Sequence, residues 1–89
     1  MLKDWIEQGA FLVDVRTPEE WNEGHVNASV NIPLDEIADR MSEFEGKGKI
    51  VFFCRSGGRS GMAKMILQSQ GFTDVENAGT WQDVKQFVD

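Results

Sequence analysis

Ile50-Val51-Phe52-Phe53-Cys54-Arg55-Ser56-Gly57-Gly58-Arg59-Ser60 is the stretch on which the fold turns. Its first four residues are apolar without alternation and rich in β-formers, the pattern of a strand buried on both faces. Such a strand belongs to a mostly parallel sheet covered by helices on either side and joined by right-handed crossovers. Two glycines then break the strand. A helix is expected from about Ser60 to Gln70, with Met62, Ala63, Met65, Ile66 and Leu67 as its apolar set and Gly71 as its stop. Cys54 therefore stands at the carboxyl end of the strongest strand, where open α/β sheets bind ligands.

Outward from this unit, strands and helices alternate. Leu2 to Gln8 reads as a short helix with Leu2, Trp5 and Ile6 inward, and Phe11 to Val15 as a buried strand. Thr17-Pro18-Glu19-Glu20 opens a second helix: Thr17 caps, Pro18 suits the first turn, and Glu20 completes a capping box. Ala28 to Ile32 is expected as a strand, and Leu34 to Phe44 as an amphipathic helix with Leu34, Ile37, Met41 and Phe44 on one stripe. Thr73 to Glu76 reads as a last strand. Thr80 and Asp83 frame the start of a final helix that turns Trp81, Val84 and Val88 inward.

The chain has 89 residues, 40% hydrophobic and 27% charged, which fits one globular domain over residues 1–89 and not a disordered chain. No run approaches the roughly 20 apolar residues of a membrane helix, so no membrane contact is expected. A single Cys excludes an intrachain disulfide, and no Cys/His cluster suits a metal, so neither metal nor cofactor is expected. The net charge of −6 argues against a nucleic-acid partner. The charge is uneven, however. Gly46 to Thr73 holds Lys47, Lys49, Arg55, Arg59 and Lys64 with no acid, and the only Cys lies inside this window. One reading is an anion-concentrating surface around a thiol. The other is a set of solvated lysines.

The loop itself speaks for chemistry. Glycines at 57 and 58 let the backbone turn its N–H groups inward, and the helix that follows aims its positive end at the same point. Such a cradle favours a thiolate over a thiol, and Arg55 or Arg59 adds to it. The competing reading makes Cys54 an inert, small apolar residue at a strand end.

With these segments in view, the sequence resembles the single-domain rhodaneses, a sulfurtransferase family, and its short phage-shock-type members most of all. Leu12-Val13-Asp14-Val15-Arg16-Thr17-Pro18-Glu19-Glu20-Trp21, Glu23 through Pro33, the six-residue loop Cys54 to Arg59, and Asn77-Ala78-Gly79-Thr80-Trp81 occur in the family's order. The resemblance implies a three-layer α/β domain with a central sheet of about four to five short strands. Four are expected, because the chain starts at the first helix where many members have a preceding strand. It implies a Cys54 persulfide that takes sulfane sulfur from a small anionic donor such as thiosulfate. Cyanide or a thiol, a protein thiol included, then accepts the sulfur. Arg55, Ser56, Gly57, Gly58, Arg59 and Ser60 would bind the substrate, with their amides holding the persulfide and the two arginines orienting the donor. Thiosulfate-specialised members often carry Lys where Ser56 stands, so this chain has one cation fewer.

Two other functions stay open at this level. A persulfide carrier that docks on a partner protein would have the same loop. Dual-specificity phosphatases and arsenate reductases use a related architecture, but with five residues between Cys and Arg where this chain has four. A redox sensor is a further alternative, weakened by the lack of a second Cys. Asp14 with Arg16, and His25, read as structural groups, Trp81 as a packing residue bordering the site, and Met62 and Met65 as core. Glu19, Glu20 and Glu23 read as a solvated helix face. A cytoplasmic location is expected from the absence of a visible signal peptide, with a processed periplasmic form as the alternative.

Overall fold

The computed structural model describes residues 2–88; Met1 and Asp89, which the one-domain expectation includes, lie outside the described residues. Elements follow the order α1 (Leu2–Glu7), β1 (Phe11–Asp14), α2 (Pro18–Glu23), β2 (Val30–Asn31), two 3-10 segments (Leu34–Glu36 and Ala38–Phe44), β3 (Ile50–Cys54), α3 (Gly58–Ser69), β4 (Val75–Thr80) and α4 (Trp81–Val88). Among the described residues the four strands form one sheet in the order β2-β1-β3-β4, with every neighbouring pair parallel. β3 is buried along its whole length. Its alternation sends Ile50, Phe52 and Cys54 to one face and Val51 and Phe53 to the other.

Each face is closed by its own helices. Ala63 and Leu67 of α3, with Phe44 of the second 3-10 segment and Ile37 between the two segments, cover the Phe52 face. Phe44 sits between Phe11 and Phe52, with ring centroids 5.9 and 5.6 Å away, tilted pairings worth about 0.5–1.5 kcal/mol each beyond simple burial. On the other face Ile6 of α1 and Val84 of α4 pack on Val51 and Phe53, flanked by Trp5, Trp81 and Val88. The capping box at Thr17 forms as expected, with the Glu20 N–H donating to Thr17 Oγ1 and the Thr17 N–H to Glu20 Oε1. At the start of α4 the Asp83 N–H donates to Thr80 Oγ1 at 3.3 Å.

Four expectations are corrected. The helix over Leu34–Phe44 is two 3-10 segments, closed by bonds such as Ile37 N–H to Leu34 O at 3.2 Å and Arg40 N–H to Ile37 O at 3.2 Å. Three residues per turn keeps Leu34 with Ile37 and Met41 with Phe44, and a non-helical Arg40 (φ −116°, ψ 29°) absorbs the four-residue step between the two pairs. The stripe survives and the helix type does not. Met62 and Met65 are 57% and 68% exposed, because the inward line of α3 is Ser60, Ala63 and Leu67. The expected strand Thr73–Glu76 begins at Val75 and runs on to Thr80, where pairing with β3 holds residues that are weak strand formers alone. The expected strand Ala28–Ile32 is reduced to Val30–Asn31.

Candidate functional site

The carboxyl ends of β1, β3 and β4 meet at the loop between β3 and α3. Two devices fix it. The first is a buried ion pair: Asp14 accepts from Arg16 Nε at 2.9 and 3.0 Å and from Nη2 at 2.7 Å, with both side chains almost fully buried. Arg16 Nη2 also donates to the Gly24 carbonyl at 2.7 Å, and the guanidinium lies 4.5 Å over the Trp81 ring. Asn31 Nδ2 donates to the Asp14 and Arg16 carbonyls. The expected structural pairing of Asp14 with Arg16 is thus present, and Trp81 is stacked on it. His25 stacks on Trp21 with ring centroids 3.7 Å apart, and its Nδ1–H donates to the Trp21 carbonyl at 2.9 Å.

The second device is a β-bulge. Phe52 pairs with Asn77 but Cys54 with Thr80, so β4 carries one residue more than β3 over that stretch. Gly79 takes up the strain at φ +84°, and the bulge presses against the loop. Gly57 has φ +96°, and a Cβ there would come 3.3 Å from Gly79 Cα. This close approach and the left-handed backbone both require glycine at position 57.

Within this frame the Gly57 N–H donates to Cys54 Sγ at 3.0 Å, and Ser60 Oγ lies 3.4 Å from the sulfur. Burial pushes the thiol up. The Ser60 hydroxyl and the backbone N–H groups of Ser60, Ser56 and Gly57 outweigh it, so the net displacement is downward from the ordinary thiol value. These donors are the loop and the first turn of α3, where unpaired N–H groups and the helix dipole both favour an anion. Cys54 is 1% exposed, so the sulfur lies at the floor of the loop and not on the surface.

The basic window does not converge on that sulfur. Lys47 lies 4.9 Å over the Phe11 ring and Lys49 5.8 Å over Trp5, both at the opposite end of β3. Lys64 is paired with Glu76 at 2.6 Å. Arg59 donates to both oxygens of Glu20, at 2.7 and 3.0 Å. Glu20 is therefore not the solvated residue expected. It closes the capping box and also anchors the loop's arginine, and its pair with Arg59 holds its carboxyl down to about 2. Among the described residues only Arg55 of these cations makes no hydrogen bond, ion pair or ring contact; it lines a cavity of about 290 Å³ with Arg16, Glu20, Glu23, Trp81 and Gln82. A second cavity of about 330 Å³, between Val15, Thr17, Pro33, Leu34, Asp35 and Arg59, lies across the Arg59–Glu20 pair.

A depressed carboxyl in the folded state contributes stability above its unfolded value and loses it as pH falls through the folded one. The Glu20 contribution is therefore lost between pH 4.5 and about 2. Acid unfolding of Glu20→Gln, followed by circular dichroism, should show a shallower loss of stability across that window than the parent chain. Equal slopes would mean that the pair does not form in solution.

Neither spacing nor charge in the sequence points to Asn77. Its Oδ1 accepts from Ser60 Oγ at 2.6 Å and from the Gly79 N–H at 2.9 Å, and its Nδ2 donates to the Gly57 carbonyl at 3.0 Å. The available signal was an Asn two residues before a Gly beside a strand, a pairing that strands disfavour unless a bulge needs it. Among the described residues no group of three or more His, Cys, Asp or Glu side chains is placed to hold a metal ion, and no helix is long and apolar enough to cross a membrane.

Comparison with known proteins places the chain in a family. The family described as Rhodanese-like domain matches residues 1–84. The chain is 39% identical over 74 residues to the thiosulfate sulfurtransferase PspE of Escherichia coli K12, covering 81% of this chain and 71% of that protein. It is 39% identical over 71 residues to the putative sulfur carrier protein YrkF of Bacillus subtilis 168, covering 80% of this chain but only 38% of that one. The solved structure of a rhodanese with anions from E. coli superposes with a TM-score of 0.76 at 38% identity, covering 84% of this chain and 91% of the other.

Proposed function

This chain belongs to the rhodanese-like domain family of sulfurtransferases, and from that premise we propose that Cys54 is the nucleophile that carries sulfur as a persulfide. The observation that carries the reading is the Gly57 N–H at 3.0 Å from Cys54 Sγ, with the sulfur set at the first turn of α3. The thiolate attacks the sulfane sulfur of the donor. The new S–S bond forms as the donor's own S–S bond breaks, so thiosulfate and thiolate give sulfite and a persulfide anion with charge conserved. A nucleophilic acceptor, cyanide or a thiol, then takes the outer sulfur and restores the thiolate. The amides that depress the thiol also suit the persulfide's charge. The rest of the loop, Arg55 through Ser60, forms the binding shell in this reading, with Arg55 the cation free to meet an anionic donor.

A second reading, a sulfur carrier for a protein partner, is favoured by one observation. Arg59 spends its charge on Glu20, which leaves a single unpaired guanidinium for a doubly charged donor. A phosphatase or arsenate-reductase reading has no such support, since Arg59 bonds outward to Glu20 and the loop is one residue short. A redox-sensor reading lacks a second thiol in this chain to resolve an oxidised Cys54.

Intact-mass spectrometry after exposure to thiosulfate is the test. One added sulfur atom on Cys54, removed by cyanide with release of thiocyanate in repeated cycles, is the expected result. No added sulfur would overturn the proposal. Sulfur that leaves slowly to cyanide but quickly to a protein thiol would select the carrier.

A further inference from the structure

The hydrogen bonds of Asn77 have an assignable polarity. The Gly79 N–H can only donate, so the Asn77 atom facing it is the amide oxygen. The Gly57 carbonyl can only accept, so the atom facing it is the amide nitrogen. These two backbone groups fix the carboxamide, and its oxygen, 2.6 Å from Ser60 Oγ, must accept from that hydroxyl. Serine has one hydroxyl proton. With that proton committed to Asn77, Ser60 presents a lone pair to Cys54 Sγ at 3.4 Å. A lone pair there suits a neutral S–H donor, and the hydroxyl favours the thiolate only by turning its proton away from Asn77. Ser60 is fully buried, so its hydroxyl is confined between these two partners.

We infer that Asn77 is a positioning residue that acts on the sulfur through Ser60, holding the hydroxyl proton while Cys54 is a thiol and releasing it toward the sulfur when the thiol proton passes to water. The arrangement is a two-position toggle. In one position S–H donates to Ser60 and Ser60 donates to Asn77. In the other Ser60 donates to the thiolate, and Asn77 Oδ1 keeps only the Gly79 N–H. The inference deepens the proposed role of Cys54 and rests on it only in requiring that this thiol ionise. The charged groups on the surrounding elements are Arg55 and Arg59 by the loop, Glu20 on α2, Asp14 at the end of β1 and Arg16 just after it, Lys64 with Glu76 across α3 and β4, and Asp83 and Lys85 on α4. His25 is stacked on Trp21 beyond them. The side-chain hydrogen bonds described for Ser60 and Asn77 run to Cys54, to the Gly57 and Gly79 backbone and to each other.

The test follows asparagine and cysteine carbon resonances in the labelled chain through a pH titration. As Cys54 ionises, seen at its Cβ, the Asn77 side-chain carbonyl carbon should move with the same midpoint, because it loses a hydrogen bond. In Ser60→Ala, Cys54 should still titrate while the Asn77 signal stays flat. A flat Asn77 signal in the parent chain, or an unchanged response in Ser60→Ala, overturns the inference. Asn77→Leu gives an independent measure. Freed from its competitor, Ser60 should lower the midpoint of iodoacetamide alkylation by about one pH unit, and the same change added to Ser60→Ala should cause no further shift. A higher midpoint in Asn77→Leu, the result of a merely loosened loop, overturns the proposal. Should Asn77→Leu not fold, the resonance measurements decide alone. A thiol that titrates with the coupled Asn77 response but gains no sulfur from thiosulfate would sink the transfer reading and leave the toggle standing.

Discussion

Cys54→Ser is expected to abolish sulfur transfer and to leave the fold in place. The hydroxyl is nearly the size of the thiol, and Gly57 N–H and Ser60 Oγ remain as partners for it, so the stability change should stay within about 1 kcal/mol. Chemistry is another matter. A serine hydroxyl is not ionised by these donors, and no second thiol exists in the chain to replace Cys54. Loss of about 10⁴-fold or more in thiocyanate formation is expected, the scale on which removal of a covalent nucleophile acts. The measurement pairs that assay with a urea unfolding curve. A Ser variant that folds and still turns over would place the reacting group elsewhere.

Asp14→Ala should be the most damaging single change to the fold. It leaves Arg16 almost fully buried with the Gly24 and Glu20 carbonyls and the Trp81 ring but no counter-charge. Removing one partner of a buried pair costs roughly 3–5 kcal/mol, because the other charge is stranded. Domains of this size hold on the order of 5–10 kcal/mol in all. A drop in the urea midpoint by about half, with the slope unchanged, is expected. A loss below about 1 kcal/mol would show that water reaches Arg16 and that the pair is not the loop's anchor. Substituting both residues together with apolar groups should cost less than Asp14→Ala alone, since no charge is then left without a partner.

What could be read from the sequence had a common cause, and so had what could not. Ile50–Phe53 announces its state because burial on both faces demands continuous apolar residues, and Thr17-Pro18-Glu19-Glu20 because a capping box is local. Cys54 and its loop were legible for the same reason: glycine, strand end and helix start are neighbours in the chain. Glu20 meeting Arg59 and Asn77 meeting Ser60 are not neighbours in that sense; they lie 39 and 17 residues apart. Nothing in the composition of either segment says that topology brings them together. The charge window misled by the same logic. A strand separates Lys47 and Lys49 from Arg55 by its full length, so proximity in sequence became distance in space. Met62 and Met65 face solvent because α3 spends its inward line on Ser60, a polar residue that hydrophobic spacing alone passes over.

The shortness of β2 has a consequence for how copies of this chain behave in concentrated solution. β2 borders the sheet with two residues, Val30 and Asn31, and Asn31 has turned its side chain back to the Asp14 and Arg16 carbonyls. An oncoming polypeptide finds there a ladder of two residues, too brief to seed a cross-β stack. At this margin, though not at the six-residue β4 on the other side, the sheet thus offers little to nucleate a fibril.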